Sequence, residues 1–198
     1  MKAEAFHISR RDLLGLLTLG CGLVGPSVAQ ISAIPTPRPA RWAQPVAVRG
    51  VHNLHRITDQ LYRSQQPSRE GMKRLSEMGI KTVINLRAFH SDRHELEGTG
   101  LINAQLHVKT WHIEDEDVIT VLRLLRQTDR APFLIHCQHG ADRTGLMSAM
   151  FRIIEQGWSK EAAIDEMVNG GFGFHAVWQN IPRYLMAVDV EKMRQAMG

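Results

Sequence analysis

The chain has 198 residues, 43% of them hydrophobic and 22% charged, with 16 glycines, 8 prolines and 2 cysteines. That length suits one compact domain, and a composition near the globular average excludes a disordered, collagen-like or polytopic membrane chain. Twenty-four basic against 20 acidic residues give a formal charge of +4. This mild excess suits anionic ligands but falls short of a nucleic-acid-binding surface, and so few cysteines exclude a disulfide scaffold or a cysteine-rich zinc module.

The first element is an address. Ser9, Arg10, Arg11 and Asp12 precede a 16-residue apolar stretch, residues 13–28, broken by Gly15, Gly20, Gly22, Gly25 and Pro26 and closed by Ser27, Val28 and Ala29. A positive start, an apolar run and a small-x-small end are the marks of a secretory signal. The paired arginines before a glycine-diluted run resemble a bacterial twin-arginine export signal, with cleavage expected after Ala29. The glycines and proline make the stretch a poor permanent membrane span. Removal of Lys2, Arg10 and Arg11 together with Glu4 and Asp12 takes the formal charge from +4 to +3 and carries off Cys21. The exported chain then keeps one thiol, Cys137, and an unpaired cysteine outside the cytoplasm is a candidate reactive group.

Residues 30–50 hold Pro35, Pro37, Pro39 and Pro45 without apolar periodicity and read as a linker, so the folded domain is expected over residues 51–198. Residues 53–57 and 61–64 flank the turn Thr58, Asp59, Gln60 and read as a hairpin. Ser68 is placed to cap a helix through Met72, Leu75 and Met78, with Gly79 as its stop. Residues 81–86 form a β-branched run suited to a buried strand, and residues 104–108 a weaker one. Val118, Val121, Leu122, Leu124 and Leu125 give a helix, and residues 132–135 an apolar strand. Helices follow over residues 144–156, 159–168 and 176–197. Strands alternating with helices predict an α/β fold, a central, mostly parallel sheet of about four to five strands flanked by helices. Ligands then sit beyond the carboxyl ends of the strands.

The loop after Ile135 reads His136, Cys137, Gln138, His139, Gly140, Ala141, Asp142, Arg143, Thr144, Gly145. A strand delivers a cysteine into a short turn and a helix begins at its far end. Successive backbone N–H groups in such a turn form an anion-binding nest, which the helix N-terminus reinforces. Arg143 follows the cysteine by six positions and can fold back as a bidentate clamp on phosphate oxygens. The same field favours the thiolate of Cys137. Gly140 allows close backbone approach, and the Thr144 hydroxyl stands where it could donate to a departing sulfur.

The pattern His-Cys-x-x-Gly-x-x-Arg-Thr resembles the signature of the cysteine-dependent protein tyrosine and dual-specificity phosphatases. Leu61, Tyr62, Arg63 and Ser64, the run from Lys81 to Arg87, and the segments around Trp158 and residues 166–173 extend the likeness to small exported bacterial members. The resemblance implies that Cys137 is the nucleophile of a phosphocysteine intermediate and that Arg143 binds the phosphoryl group. It makes residues 138–144 the substrate loop: Gln138, His139, Gly140, Ala141, Asp142, Arg143 and Thr144. It implies no cofactor and no metal. The expected partner is a phosphorylated protein or small phosphorylated substrate, in the periplasm, with inositol polyphosphates as the rival class. A silent phosphate-binding module, whose usual mark is loss of the Cys or Arg, is the alternative of another kind.

The leaving oxygen needs a proton donor. No Trp-Pro-Asp is present in Thr110, Trp111, His112, Ile113, Glu114, Asp115, Glu116, Asp117. Asp115 is the first candidate, 22 residues before Cys137; Asp117, Glu114, Asp92 and Asp142 are the others. Helix capping is the competing explanation for Asp115 and Asp117. The histidine pairs His90/His94 and His136/His139 lack the third ligand of a zinc site and read as loop residues.

Overall fold

The computed structural model describes residues 37–198; the expected signal, Cys21 and the first part of the expected linker lie outside the described residues. The elements are β1 (Gln44–Pro45), β2 (His55–Thr58), β3 (Leu61–Ser64), α1 (Arg69–Glu77), β4 (Thr82–Asn85), α2 (Arg93–Leu96), β5 (Ile102–Gln105), α3 (Asp115–Leu125), β6 (Phe133–His136), α4 (Asp142–Ile154), α5 (Lys160–Asn169), α6 (Asn180–Ala187) and α7 (Val190–Met197). A 3-10 turn at Thr128–Arg130 precedes β6. The strands form one six-stranded sheet in the order β1-β2-β3-β6-β4-β5. The β1–β2 and β2–β3 pairs are antiparallel, and the other pairs are parallel. β4, β5 and β6 therefore all release their chains at the same edge, where the cysteine loop begins.

Period-two alternation divides the central strands between two cores. Ile84, Phe133 and Ile135 face a large cluster with Val118, Leu122, Leu146, Met150, Met167 and Leu185 from α3 to α6. Val83 and Leu134 face a smaller one with Met72 and Leu75 from α1, Ile80 from the connection to β4, and Leu96 from α2. β4 and β6 are buried along their whole length, as strands covered on both faces must be. Ser68 and Ser159 cap α1 and α5 through their side chains, accepting from Gly71 and Ala162.

Three expectations change. The domain boundary moves from residue 51 back to Pro37. Pro45 and Gln44 pair with His55 and Arg56 as the sheet's sixth strand. Arg38 donates to the Gly170 and Ala43 carbonyls, and the Ala43 amide donates to buried Glu166. Proline spacing hid this segment because it is held by long-range side-chain bonds with little backbone pairing. The helix expected over residues 176–197 is two, because Val188 is extended (ψ 134°) and Asp189 caps a fresh start by accepting from Glu191 and Lys192. The one-turn helix α2 arises where no helix was predicted. Among the described residues no helix is long and apolar enough to cross a membrane.

His55 on β2 packs edge-on against Phe172 at 4.8 Å and is held by the Asn53 carbonyl. Burial, aided by the nearby Arg63 and Arg38 and opposed by the bond to Asn53, lowers its pKa from 6.5 to about 4. The imidazole is therefore neutral when folded, and it takes a proton more readily when unfolded. Its stabilisation is complete above pH 6.5 and is lost as pH falls from there through about 4. Thermal melts across that window should show a declining midpoint, and His55→Gln should flatten the decline.

Candidate active site

Cys137 leaves the end of β6 and is 2% exposed, a free thiol embedded in the main core. Three successive carbonyls after it are pulled outward by donors from elsewhere in the chain. The Gln138 carbonyl accepts from the Gln66 amide (3.3 Å), that of His139 from Asn53 Nδ2 (3.0 Å), and that of Gly140 from the Arg63 guanidinium (2.7 Å). Peptide planarity then turns the N–H groups to the opposite side. Among the described residues, no protein acceptor takes the N–H of Gln138, His139, Gly140 or Ala141. These donors and the first turn of α4 form the nest that the sequence pattern implied.

The clamp is present as well. Arg143 Nη1 reaches the Leu86 carbonyl at 3.4 Å, whereas its Nε is buried without a partner, and no carboxylate pairs with it among the described residues. A guanidinium with free donors at the helix start is held ready for an oxyanion. Thr144 is fully buried and its hydroxyl too has no protein partner.

Behind the loop, His136 Nε2 donates to Asp92 Oδ2 at 2.6 Å, and its Nδ1 lies 3.4 Å from the Cys137 carbonyl. Gln66 donates to the other Asp92 oxygen and accepts from Arg87. Burial alone would raise the Asp92 carboxyl, but hydrogen bonding to His136, the charge of that ring and the bond from Gln66 outweigh it and hold the group below its ordinary value. Asp92, fully buried, is thus an ionised anchor for the residue before Cys137, which argues against a proton donor.

Of the other acids, Asp142 and Asp115 are likewise engaged. Asp142 accepts from the His175 amide (3.0 Å) and from its ring Nδ1 (2.9 Å). Asp115 begins α3 and accepts from the Tyr184 hydroxyl at 2.7 Å; burial and then this carboxylate push the phenol up. Glu114 is the N-cap residue of α3 but makes no side-chain cap bond, and it lies 3.3 Å from His112. Asp117, in the same first turn, is raised by burial and by Glu114 and Glu116, against Lys109 and His112.

Asn53, Arg63, Gln66 and His175 took no site role in the sequence reading. Asn53 and Gln66 lie in turns and carried no signal. Arg63 carried one: alternation from Leu61 puts it on the buried face of β3, where an arginine needs a reason. It is 1% exposed and lies 3.7 Å over the Phe172 ring, and burial lowers its pKa to about 10, against the opposing charges of Glu166 and Cys137.

A strand-end thiol enclosed by unengaged amides and an unpaired guanidinium holds a tetrahedral dianion against a nucleophile, the arrangement of a cysteine-dependent phosphatase. The model of a family described as DSP-PTPase phosphatase fused to NAD+ kinase matches residues 46–181. The chain is 38% identical over 187 residues to the dual specificity protein phosphatase TpbA of Pseudomonas aeruginosa strain UCBPP-PA14, covering 94% of this chain and 82% of that protein. The crystal structure of P. aeruginosa TpbA in complex with phosphotyrosine matches with a TM-score of 0.73 at 37% identity, over 81% of this chain and 98% of that one. An inositol diphosphatase of Arabidopsis thaliana, DSP5, is 27% identical over 58% of this chain and 59% of its own. The chain belongs to the dual-specificity branch of the cysteine-dependent phosphatases, and it is a phosphatase.

Gly140 sits at φ +70°, and a Cβ there would fall 2.5 Å from the Gln65 amide and the Ser64 carbonyl carbon. These atoms belong to one backbone peptide group, which cannot swing aside as the end of a side chain would. Gly140→Ala should displace the loop and lower phosphatase turnover by about 100-fold or more, read with p-nitrophenyl phosphate on protein whose circular dichroism matches wild type.

Proposed function

We propose that the chain hydrolyses phosphotyrosine, and phosphoserine or phosphothreonine, in proteins of the periplasm through a phosphocysteine on Cys137. The unpaired Arg143 guanidinium beside the unengaged loop amides is the observation that carries this reading, because such a site is complete only with a phosphoryl group in it. The Cys137 thiolate attacks phosphorus in line, the S–P bond forms and the P–O ester bond breaks. The departing oxygen takes a proton from a carboxylic acid. Water then attacks phosphorus and returns a proton to that carboxylate, the S–P bond breaks, and phosphate leaves with the thiolate restored. Dividing one displacement into two lowers each barrier, and loop donors aimed at the equatorial oxygens stabilise both transition states.

The proton donor belongs to the first turn of α3, which starts from the loop after β5 at the same sheet edge as the cysteine loop. Asp115 accepts the Tyr184 hydroxyl, so that oxygen is already engaged. Asp117, with its carboxyl raised, keeps a proton to higher pH and is the better donor of the two. A protonated donor makes turnover fall as pH rises. Asp117→Asn should remove that fall while Asp115→Asn retains it; a profile unchanged in both variants removes α3 as the source.

Cys137→Ser should abolish hydrolysis of p-nitrophenyl phosphate, and Arg143→Ala should lower it by several orders of magnitude. Wild-type activity should survive EDTA without added metal. Activity in Cys137→Ser, or loss to the chelator, would overturn the mechanism.

Inositol polyphosphates are the second reading. A cavity after β4 is lined by His90, Arg93 and His107 with Gln105 and Asn103, donors suited to further phosphate groups, and a relative is named an inositol diphosphatase. Phosphotyrosine peptides and inositol phosphates assayed side by side decide between them by kcat/KM. The paired arginines support export. Arg10→Lys with Arg11→Lys should leave the chain in the cytoplasmic fraction at unprocessed mass.

A further inference from the structure

We propose that His139, Asp142 and His175 form a binding site for a divalent transition-metal ion of the zinc class, and that occupation of this site reversibly inhibits the phosphatase. One ligand atom from each of the three lies within 4.8 Å of the others. His175 Nδ1 stands 2.9 Å from Asp142 Oδ2, and the two imidazole rings have centroids 5.2 Å apart, tilted by 59°. Adjacent ligand atoms of a tetrahedral zinc ion at ~2.1 Å bonds lie about 3.4 Å apart, so modest side-chain rotation brings the three onto one ion. The ion takes the place of the proton on His175 Nδ1; the neutral imidazole then carries its one proton on Nε2, and a ring that was doubly protonated releases the other to solvent. Two imidazoles and one carboxylate leave a fourth position open, a donor set that suits zinc and is too poor in oxygen for calcium or magnesium.

The site is braced. His139 and His175 stand on different loops, the first following Cys137 and the second following α5. Asn53, with φ +53°, donates through one side-chain amide to the His139 carbonyl (3.0 Å) and the Phe172 carbonyl (2.9 Å), tying those loops together. Arg63 adds a second tie, bonding Gly140 while stacking on Phe172. Asp142 is buried, whereas both histidines reach solvent, so an ion has a path in. Preorganised ligands with supporting bonds behind them are what distinguish a metal site from a chance cluster. Two of the ligands flank Gly140 and Arg143, so the side-chain rotation that brings them onto an ion draws the loop off the fixed orientation in which it receives a phosphoryl group.

The binding test uses Cys137→Ser protein, which lacks the thiolate and needs no activity, so its outcome is independent of the catalytic reading. Titration with Co2+ should give visible d–d bands saturating at one ion per chain and displaced by Zn2+. Adding His175→Ala, or separately His139→Ala, should weaken binding roughly tenfold or more, with circular dichroism confirming the fold of each. In active protein Zn2+ should inhibit, EDTA should restore the rate, and His175→Ala should shift the inhibition curve by a similar factor relative to its own zinc-free rate. Absence of Co2+ binding in Cys137→Ser, or an affinity in both histidine variants unchanged from that Cys137→Ser parent, overturns the site. Equal Zn2+ inhibition of wild type and His175→Ala assigns inhibition to the thiolate and overturns the regulatory half.

Discussion

Everything at this site depends on the direction of three peptide groups. The carbonyls of Gln138, His139 and Gly140 point away from the anion position because Gln66, Asn53 and Arg63 hold them there. A short loop left to itself would turn its amides to water. Fixed in this orientation, they present donors to a dianion with no reorganisation at the moment of reaction, which is where electrostatic catalysis gains most. All three holding residues lie in the stretch from Asn53 to Gln66, which spans β2, β3 and the turns around them. The hairpin is therefore the rear wall of the active site as well as part of the sheet.

Holding Gly140 from behind requires a buried cation, and the fold must accommodate it. Arg63 rests on the Phe172 ring and lies near the buried Glu166, which pairs bidentately with Arg152 and accepts from the Ala43 amide. Arg38 also lies over Phe172, 5.1 Å from the ring centroid, and binds Gly170. Burying charge is costly unless each group is paired, and here one glutamate serves Arg152 directly and Arg63 through the field. This explains why residues 37–45, which bury little apolar surface, are nonetheless fixed. They supply the bonds that close a buried ionic layer between β3, α4 and α5.

Much of the architecture was legible. The β-branched run at Thr82, Val83 and Ile84 and the apolar run at Phe133, Leu134 and Ile135 announce central strands, since only strands covered on both faces are apolar at consecutive positions. Ser68 and Ser159 mark helix starts by local chemistry. The spacing of Cys137, Gly140, Arg143 and Thr144 announced the chemistry, because each has a role set by loop length alone. What failed did so for physical reasons. Gln44 and Pro45 gain their strand status from a partner strand, and Asp189 breaks a helix that periodicity alone would continue. Asp115 looked like a free acid until Tyr184, 69 residues away in sequence, came to its side.

The sequence by itself determined the neighbourhood of Cys137, the glycine-containing turn after it, and a sheet that delivers both to one edge. These are local facts, fixed by residue type and short spacing. Only the tertiary structure decided which acids are already engaged, which carbonyls are turned outward, and that His175 stands beside His139 and Asp142. Those are contacts between segments distant in the chain, and no periodicity or motif encodes them, because the energy that selects them comes from burying the whole core at once.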